Sequence, residues 1–350
     1  MNIPGEQLDL RTIDSVSTLQ SNIDKIKDFE RSTVDKSLLY YRGLSKVSFD
    51  LEPSVMRCRH HRKHEGDMLR ELIARKPDAF FEITSALDRW MLAQHHGLYT
   101  RFMDVSSNPL VGLFFASGGY HDELGCDGVL YVFSTTHDHV KPYDSDAVSI
   151  ISNFARLRGR EQKDILKETK RFLSKRCVFV DRDRRIMCRR RHNDIEEVRA
   201  YYEHLDLLRQ ENEASGRYSV MGRLLTFIRQ EKLYFEENLI NPRDFFRIFI
   251  VRPRLLFDRV RVQSGAFLVS AYHKTFDFES DAEYKRNIRY TMDKYDVPYN
   301  YYRMTVKSGE KRSILEELQS LDISRENLFP GLSESARAIL QDYRVRTIPD

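Results

Sequence analysis

The chain has 350 residues, of which 41% are hydrophobic and 31% charged, and its net charge is +4. These values are typical of a soluble globular protein, and so small a net charge excludes a uniformly basic nucleic-acid-binding chain. The apolar runs are far shorter than the roughly 20 residues of a membrane helix, and the N-terminus lacks the basic and apolar regions of a secretion signal. We therefore expect a cytoplasmic protein without a membrane segment.

Helical and strand patterns alternate irregularly along the chain. Gly97 is placed to end a helix, and the capping residue Asn108 followed by Pro109 is a typical helix start. The predicted helices are Leu8–Phe29, one beginning at Met68–Ile73, Phe80–His95, Asn108–Ala116, much of Asp146–Lys175, Glu196–Asn212, Val220–Lys232, Ser313–Leu321 and Ser333–Tyr343. The predicted strands are Leu38–Tyr41 ending at Arg42-Gly43, Gly128–Ser134, Phe246–Pro253, Arg259–Tyr272 and Arg303–Lys307.

Short strands among unequal helical blocks favour an α+β fold over a regular βαβ alternation. We expect a compact mixed or split β-sheet flanked by helices, with a helical insertion at about residues 145–235. A helical lead-in over residues 1–34 would precede one domain over residues 35–345, since no Pro/Gly-rich linker divides the chain.

The cysteines and histidines do not form a metal-binding pattern. The four cysteines are far apart and include no Cys-x-x-Cys pair, which argues against structural disulfides and a zinc site. The run CRHHRKH (Cys58–His64) holds ligand residue types, but Arg59, Arg62 and Lys63 would oppose a cation. We expect no metal, and a solvated basic loop or helix end here.

Basic residues are concentrated between residues 154 and 191. In the first part of this segment acidic residues interleave, as on a solvated helix face, whereas a later run of arginines has less compensation. We expect the segment to bind nucleic acid or an acidic partner protein, such as an antitoxin or inhibitor. The arginines of that later run are Arg184, Arg185, Arg189, Arg190 and Arg191.

Three separated segments together form a recognisable pattern: Tyr41-Arg42-Gly43, residues 93–116, and Gln263-Ser264-Gly265-Ala266-Phe267. The middle segment reads AQHHGLYTRFMDVSSNPLVGLFFA. The pattern resembles the FRG domain family, whose middle motif is similar to Gln-His-x-Gly-x-x-Thr-Arg-x-x-Asp followed by Asn-Pro, and the resemblance covers about residues 35–335. Tyr99, Val105 and Gly112 depart from it at packing positions. The resemblance implies an effector of bacterial or phage conflict, either a toxin or a protein of phage defence.

A weaker likeness is to ADP-ribosyltransferases, through Arg42, the segment Thr100–Ser107, FFA and GVLYVFS in that order. It implies NAD as a cofactor, with Arg42 or Arg101 holding the pyrophosphate. Cleavage of the glycosidic bond needs a carboxylate beside an oxocarbenium-like state. Those transferases carry a glutamate where Gly265 stands here, so Asp104 is the substitute.

These resemblances predict one polar cleft. Arg42 and Arg101 would hold phosphate, and His95 would orient the ligand or shuttle a proton. Asp104 would position the arginines or stabilise positive charge, and Gln263 would contact ribose. The candidate catalytic residues are Arg42, His95, Arg101, Asp104 and Gln263; the candidate nucleotide-binding residues are Tyr41, Arg42, Gly43, Thr100, Arg101, Gln263 and Phe267.

Other interpretations stay open. Arg42 could pair with Asp104 inside the protein, His95 could be a helix-end residue, and Gln263 could satisfy backbone groups. Asn108 is expected as an N-cap. The function could equally be a non-catalytic module that senses a nucleotide or binds nucleic acid or protein. A metal-independent ribonuclease is a further alternative, because the segment around His95, Arg101 and Asp104 includes acid–base and phosphate-binding types.

Overall fold

The structure is a computed structural model. It describes residues 8–31, 37–120, 123–175, 178–180, 186–188, 194–214, 220–271 and 299–331. These residues form an α+β fold with a seven-strand mixed sheet flanked by helices. The strands are β1 (Leu38–Leu44), β2 (Met103–Ser106), β3 (Gly128–Thr135), β4 (Val140–Pro142), β5 (Val178–Val180), β6 (Ile186–Cys188), β7 (Ile248–Arg252), β8 (Gly265–Ser270) and β9 (Tyr299–Val306).

The seven strands lie in the order β4-β7-β8-β2-β1-β3-β9. The pair β4–β7 is parallel, and the other neighbouring pairs are antiparallel. β5 and β6 form a separate antiparallel pair. β1 and β2, the two strands at the centre, come from the segments with the Tyr-Arg-Gly and Thr-Arg-x-x-Asp patterns.

Helices cover the sheet and fill the long connection between β4 and β7. The α-helices are α1 (Val16–Arg31), α2 (Arg59–Lys63), α3 (Glu65–Arg75), α4 (Pro77–Phe80), α5 (Ala86–His95), α6 (Pro109–Ala116), α7 (Asp146–Phe154), α8 (Gly159–Lys175), α9 (Asp194–Ala214), α10 (Val220–Arg229), α11 (Asp258–Val262), α12 (Lys311–Ser320) and α13 (Arg325–Leu328). Short 3-10 turns occur at Ser54–Arg57, His137–His139, Glu237–Leu239, Pro242–Phe246 and Ser308–Glu310. Among the described residues, no helix is long and apolar enough to cross a membrane.

The sheet separates hydrophobic layers because successive residues of a strand face opposite sides. On one side, Tyr40, Met103 and Leu268 pack in a small cluster. On the other side, Tyr41 packs with α1, α6 and α12, and Phe267 packs with the helices α5, α7, α8 and α10. These two groups of helices therefore cover the same face of the sheet and adjoin each other where β1 and β2 are neighbours.

Gly43 explains how α6 comes to lie on β1. A Cβ atom at Gly43 would stand 2.0 Å from the carbonyl O of Gly112 and 2.3 Å from the amide N of Ala116. A Cβ atom at Gly112 would likewise stand 2.8 Å from Tyr41 Cβ and from Leu130 Cδ1. The strand and the helix are in backbone contact, which only glycine permits.

Most predicted elements are present, and local capping confirms two of the signals. The Asn108 side chain accepts from the amide of Leu110 at 2.9 Å and begins α6, and Gly97 has a φ of 90° after α5. The sequence places the start of α1 too early, at Leu8, whereas the helix begins at Val16. It also begins α5 too early, since Ser85 caps that helix at Ala86.

Two strand predictions need correction. β1 does not end at Arg42-Gly43 but continues to Leu44. The residues Arg259–Val262 form part of α11, and the strand β8 begins only at Gly265. The alternating valines suggested a strand, but Val260 packs against the core while Val262 is exposed, as on a helical turn. The predicted helix Ser333–Tyr343 lies outside the described residues.

Candidate functional site

A cleft of about 340 Å³ opens at the centre of the sheet, between the ends of α5, α6 and α11. Within the described residues, β1 and β2 are paired at one position only, Tyr41 opposite Ser106. Among the described residues the two strands form no further pair, and residues of both strands line the cleft. Of the candidate residues, it is lined by Tyr41, Arg42, Gly43, His95, Asp104, Gln263 and Phe267.

Arg42 bridges the gap between the two strands. Its Nη1 donates to the backbone carbonyl of Asp104, and not to the carboxylate that the sequence suggested as a buried partner. Its Nε is buried and has no hydrogen-bond partner. Burial lowers the pKa of the guanidinium, the charge of Asp104 opposes this shift, and the charge of Arg57 adds to it. Arg42 is therefore a cation with unused donor capacity.

Two further arginines, not identified from the sequence, line the same cleft: Arg57 and Arg259. Arg57 donates only weakly, to the carbonyl of Glu52 at 3.4 Å, and the Arg259 guanidinium lies 4.7 Å from the centre of the Phe329 ring. Neither these two nor Arg42 forms an ion pair with any residue that the structure describes. Three guanidinium groups around one cleft are suited to an anion with several oxygens, such as a phosphate or diphosphate.

Asp104 supplies the carboxylate of the cleft, and Gln94 holds it in place. The Gln94 Nε2 lies 3.0 Å from each oxygen of Asp104. The Thr100 hydroxyl donates to the Gln94 Oε1 and so fixes the orientation of the amide. Gln94 was absent from the predicted site residues, although its position beside His95 in the Gln-His-x-Gly pattern could have indicated it.

His95 lies at the C-terminal end of α5 and stacks on Phe257. The two ring centres are 5.0 Å apart and the planes differ by 6°. Partial burial lowers the pKa of His95, and His96 and Arg259 lower it further by repulsion. The imidazole is therefore held in its neutral form more firmly than an ordinary histidine.

Gln263 lines the cleft, but its amide is engaged in structural contacts. Its Nε2 donates to the carbonyl of Leu328 at 2.9 Å, and its backbone carbonyl accepts from the Ser106 hydroxyl at 2.6 Å. Ser264 then adopts a positive φ of 48° and leads into β8. Gln263 thus joins β2 to α13, as the structural interpretation predicts, and the Leu328 carbonyl takes one N–H of its side-chain amide.

Arg101 and Thr100 do not line the cleft. The Arg101 side chain is fully buried with that of Glu65, and its Nη1 and Nη2 donate to the carbonyl of Ala271 and to Gln162 Oε1, each at 2.9 Å. The sequence predicted that Arg101 would hold phosphate, but its guanidinium does not line the cleft. Glu65 already neutralises the guanidinium, and Thr100 is occupied with Gln94.

The remaining predicted features give no site in the described residues. The arginines 184, 185 and 189–191 lie outside those residues. The basic run from Cys58 forms the short helix α2, in which the His60 ring packs against that of His64 and the His61 ring against Tyr99. In the part of the chain that the structure describes, no group of three or more His, Cys, Asp or Glu side chains could hold a metal ion.

A comparison with known protein families matches one segment of the chain that lines this cleft. The family model of the FRG domain matches residues 37–123, which include β1, α5, β2 and α6. Comparisons with curated proteins and with solved structures gave no match. Arg42, Arg57, Gln94, His95 and Asp104 all lie inside the matched range. The chain therefore carries an FRG domain at residues 37–123, and these residues supply Arg42, Arg57 and Asp104 to the cleft, whereas Arg259 lies outside them.

Proposed function

We propose that the cleft binds a nucleotide through its phosphates and breaks the bond between ribose and base, with NAD as the substrate. One observation carries this proposal. The Asp104 carboxylate, held by both its oxygens, stands in a cleft whose other permanent charges are the guanidinium groups of Arg42, Arg57 and Arg259. A dinucleotide presents the complementary set, a diphosphate next to a ribose that becomes positive during the reaction.

The arginines would hold the diphosphate. Arg42 has a buried Nε without a partner, and Arg57 is near enough to lower its pKa. Two guanidinium groups that repel one another in a poorly solvated site gain most when an anion lies between them. A phosphate there would satisfy the unused donors and remove the repulsion at once.

Asp104 would then act on the glycosidic bond. As the bond from ribose C1′ to the nicotinamide nitrogen breaks, both electrons leave with nicotinamide, which becomes neutral. The ribose carbon acquires positive charge, which a fixed carboxylate stabilises without any reorganisation. Water or a nucleophile on a target then adds to C1′ and loses a proton, giving ADP-ribose or an ADP-ribosylated product.

The FRG match at residues 37–123 supports a role for this chemistry in an effector of bacterial or phage conflict, either a toxin or an anti-phage protein. The basic residues between 154 and 191 would bind the target or the inhibitor, either nucleic acid or an acidic protein. On α8, Arg160, Lys163 and Lys167 are exposed at spacings of three and four residues, which puts them on one face of the helix.

A binding-only function is the second candidate, and one observation favours it. Gln263, from the late strand segment where transferases carry a carboxylate, donates to a backbone carbonyl instead. In that case the same arginines would sense a nucleotide without turning it over. The ribonuclease alternative loses support, because Arg101, one of its assumed phosphate ligands, is neutralised by Glu65.

The test follows nicotinamide release from NAD, with water alone and with lysate proteins as acceptors. Asp104→Asn keeps the size of the side chain and one acceptor for Gln94, and we expect it to abolish release while binding of ADP-ribose persists. Asp28→Asn, a change in an exposed i,i+3 pair with Arg31, is the matched control and should behave as wild type. ADP-ribose binding without any release would favour the sensor; no binding of NAD or ADP-ribose to wild type would refute both.

A further inference from the structure

His95 and Phe257 form a flat aromatic platform on the wall of the cleft. Their rings are parallel within 6° at a centre-to-centre distance of 5.0 Å, and both residues line the cleft. They come from distant parts of the chain, the end of α5 and the start of α11. The fold thus places two parallel rings on the wall of a cleft that also contains three arginine side chains.

The two rings of the platform differ in their surroundings, since Phe257 contacts the protein interior and His95 is exposed. Phe257 packs against the large hydrophobic cluster beneath α5, so its ring is held from below. His95 is exposed, and His96 touches it edge-on, with the ring centres 5.1 Å apart and the planes at 84°. Among the described residues, no ring other than those of Phe257 and His96 contacts His95.

The platform lies within reach of the phosphate-binding charges. Arg259 follows Phe257 by two residues, lines the same cleft, and is close enough to His95 to lower its pKa. Gln94, which holds Asp104, directly precedes His95. A ring stacked on His95 would therefore be joined to a ribose near Asp104 and to phosphates near the arginines.

We infer that the His95–Phe257 platform is the subsite for a nucleobase of the ligand, which stacks on the outer face of His95. This inference rests on the proposed function, and it assigns His95 to ring stacking instead of proton transfer. Stacking on an aromatic side chain is tolerant of the base, since every base has a π-face. Adenine and nicotinamide share this chemistry, and the experiment separates them.

The experiment measures binding of ADP and of inorganic pyrophosphate, which differ by the nucleoside. We expect wild type to bind ADP about tenfold more tightly, equivalent to about 1.4 kcal/mol. His95→Ala should abolish this preference and leave pyrophosphate binding unchanged, whereas His95→Phe should retain it. His137→Ala, an exposed histidine outside the cleft lining and without contact to His95, is the matched control. Comparing AMP with nicotinamide mononucleotide then shows which base the platform takes.

Each outcome has a distinct meaning once circular dichroism shows that the variants are folded. An ADP preference that survives His95→Ala overturns the inference, and so does its loss in His95→Phe, because a hydrogen bond and not stacking would then be responsible. Equal binding of ADP and pyrophosphate to wild type also overturns it, while the phosphate site stands. If the preference depends on His95 but no nicotinamide is released, the platform stands and the NAD chemistry fails.

Discussion

Arg42 and Arg101 belong to the same FRG segment and looked equivalent as phosphate ligands, yet their surroundings are opposite. Arg101 is buried against Glu65 and donates to Gln162 and two backbone carbonyls. Arg42 forms no ion pair with the described residues, has one hydrogen bond to a carbonyl, and keeps a buried Nε without a partner. One arginine is fully neutralised and the other is not.

The difference shows that residue type alone does not determine the role of an arginine, and that the balance of charge around it does. Removing a guanidinium from water is costly, and the cost is recovered only with a matched carboxylate and further hydrogen bonds. The Arg101 region meets that condition and is complete without a ligand. The Arg42 region does not, and it becomes complete only when an anion enters the cleft.

Replacing each of the two arginines with methionine tests this difference most directly, and Arg101→Met is expected to have the larger effect on stability. It leaves the Glu65 carboxylate buried without its partner, and we expect the free energy of unfolding to fall by about 3–5 kcal/mol. Urea denaturation followed by circular dichroism measures the change. Adding Glu65→Leu should return part of the loss, because the uncompensated charge is then gone. A stability within about 1 kcal/mol of wild type for Arg101→Met would show that the pair is not what holds this region together.

Arg42→Met should give the opposite result. Arg42→Met loses one hydrogen bond but also removes a buried guanidinium Nε that has no partner, and these two effects oppose each other. We therefore expect the unfolding free energy to change by no more than about 1 kcal/mol in either direction. Pyrophosphate binding should weaken by about tenfold or more, because a charge-assisted hydrogen bond contributes about 1.5–3 kcal/mol. Calorimetric titration and urea denaturation of one preparation give both numbers. A stability loss as large as that of Arg101→Met would make Arg42 a structural residue.

The sequence predicted what is local and missed what depends on distant partners. The Asn108 cap and the Gly97 helix end follow from neighbouring backbone groups, so their patterns were sufficient. The partners of Arg101 are 36 and 61 residues away along the chain, and no periodicity reveals them.

Arg42, Asp104 and Gln263, which family order placed together, all line one cleft. It gave no indication of Arg57 or Arg259, which lie outside the three quoted motifs. Their contribution follows only from where the 3-10 turn Ser54–Arg57 and α11 meet the sheet. The motifs thus indicated which segments form the cleft, whereas the presence of Arg57 and Arg259 in it depends on tertiary packing.

Gln94→Leu tests how the Asp104 carboxylate of the cleft is positioned, and its expected effect is smaller. It removes both hydrogen bonds to Asp104 and the acceptor of the Thr100 hydroxyl. We expect kcat for nicotinamide release to fall about tenfold with KM nearly unchanged, because the carboxylate loses its position while the arginines stay. Gln20→Leu, which removes an exposed contact to Asp24, is the control. An increase in KM alone would assign Gln94 to substrate binding.

The smallest expected effect is a pH dependence that the cleft contributes through His95. Its pKa is lowered by burial first and then by His96 and Arg259, so between this value and the ordinary one of about 6.5 the folded state binds fewer protons than the unfolded state. Stability must therefore decrease as the pH falls through that window. We expect the unfolding free energy of wild type to drop relative to that of His95→Phe between about pH 7.5 and pH 5, since phenylalanine keeps the stack on Phe257 but cannot titrate. Urea denaturation of both proteins at the two pH values measures this difference, in which titrations elsewhere largely cancel. A difference that does not change with pH would mean that burial, His96 and Arg259 together do not lower the pKa of His95.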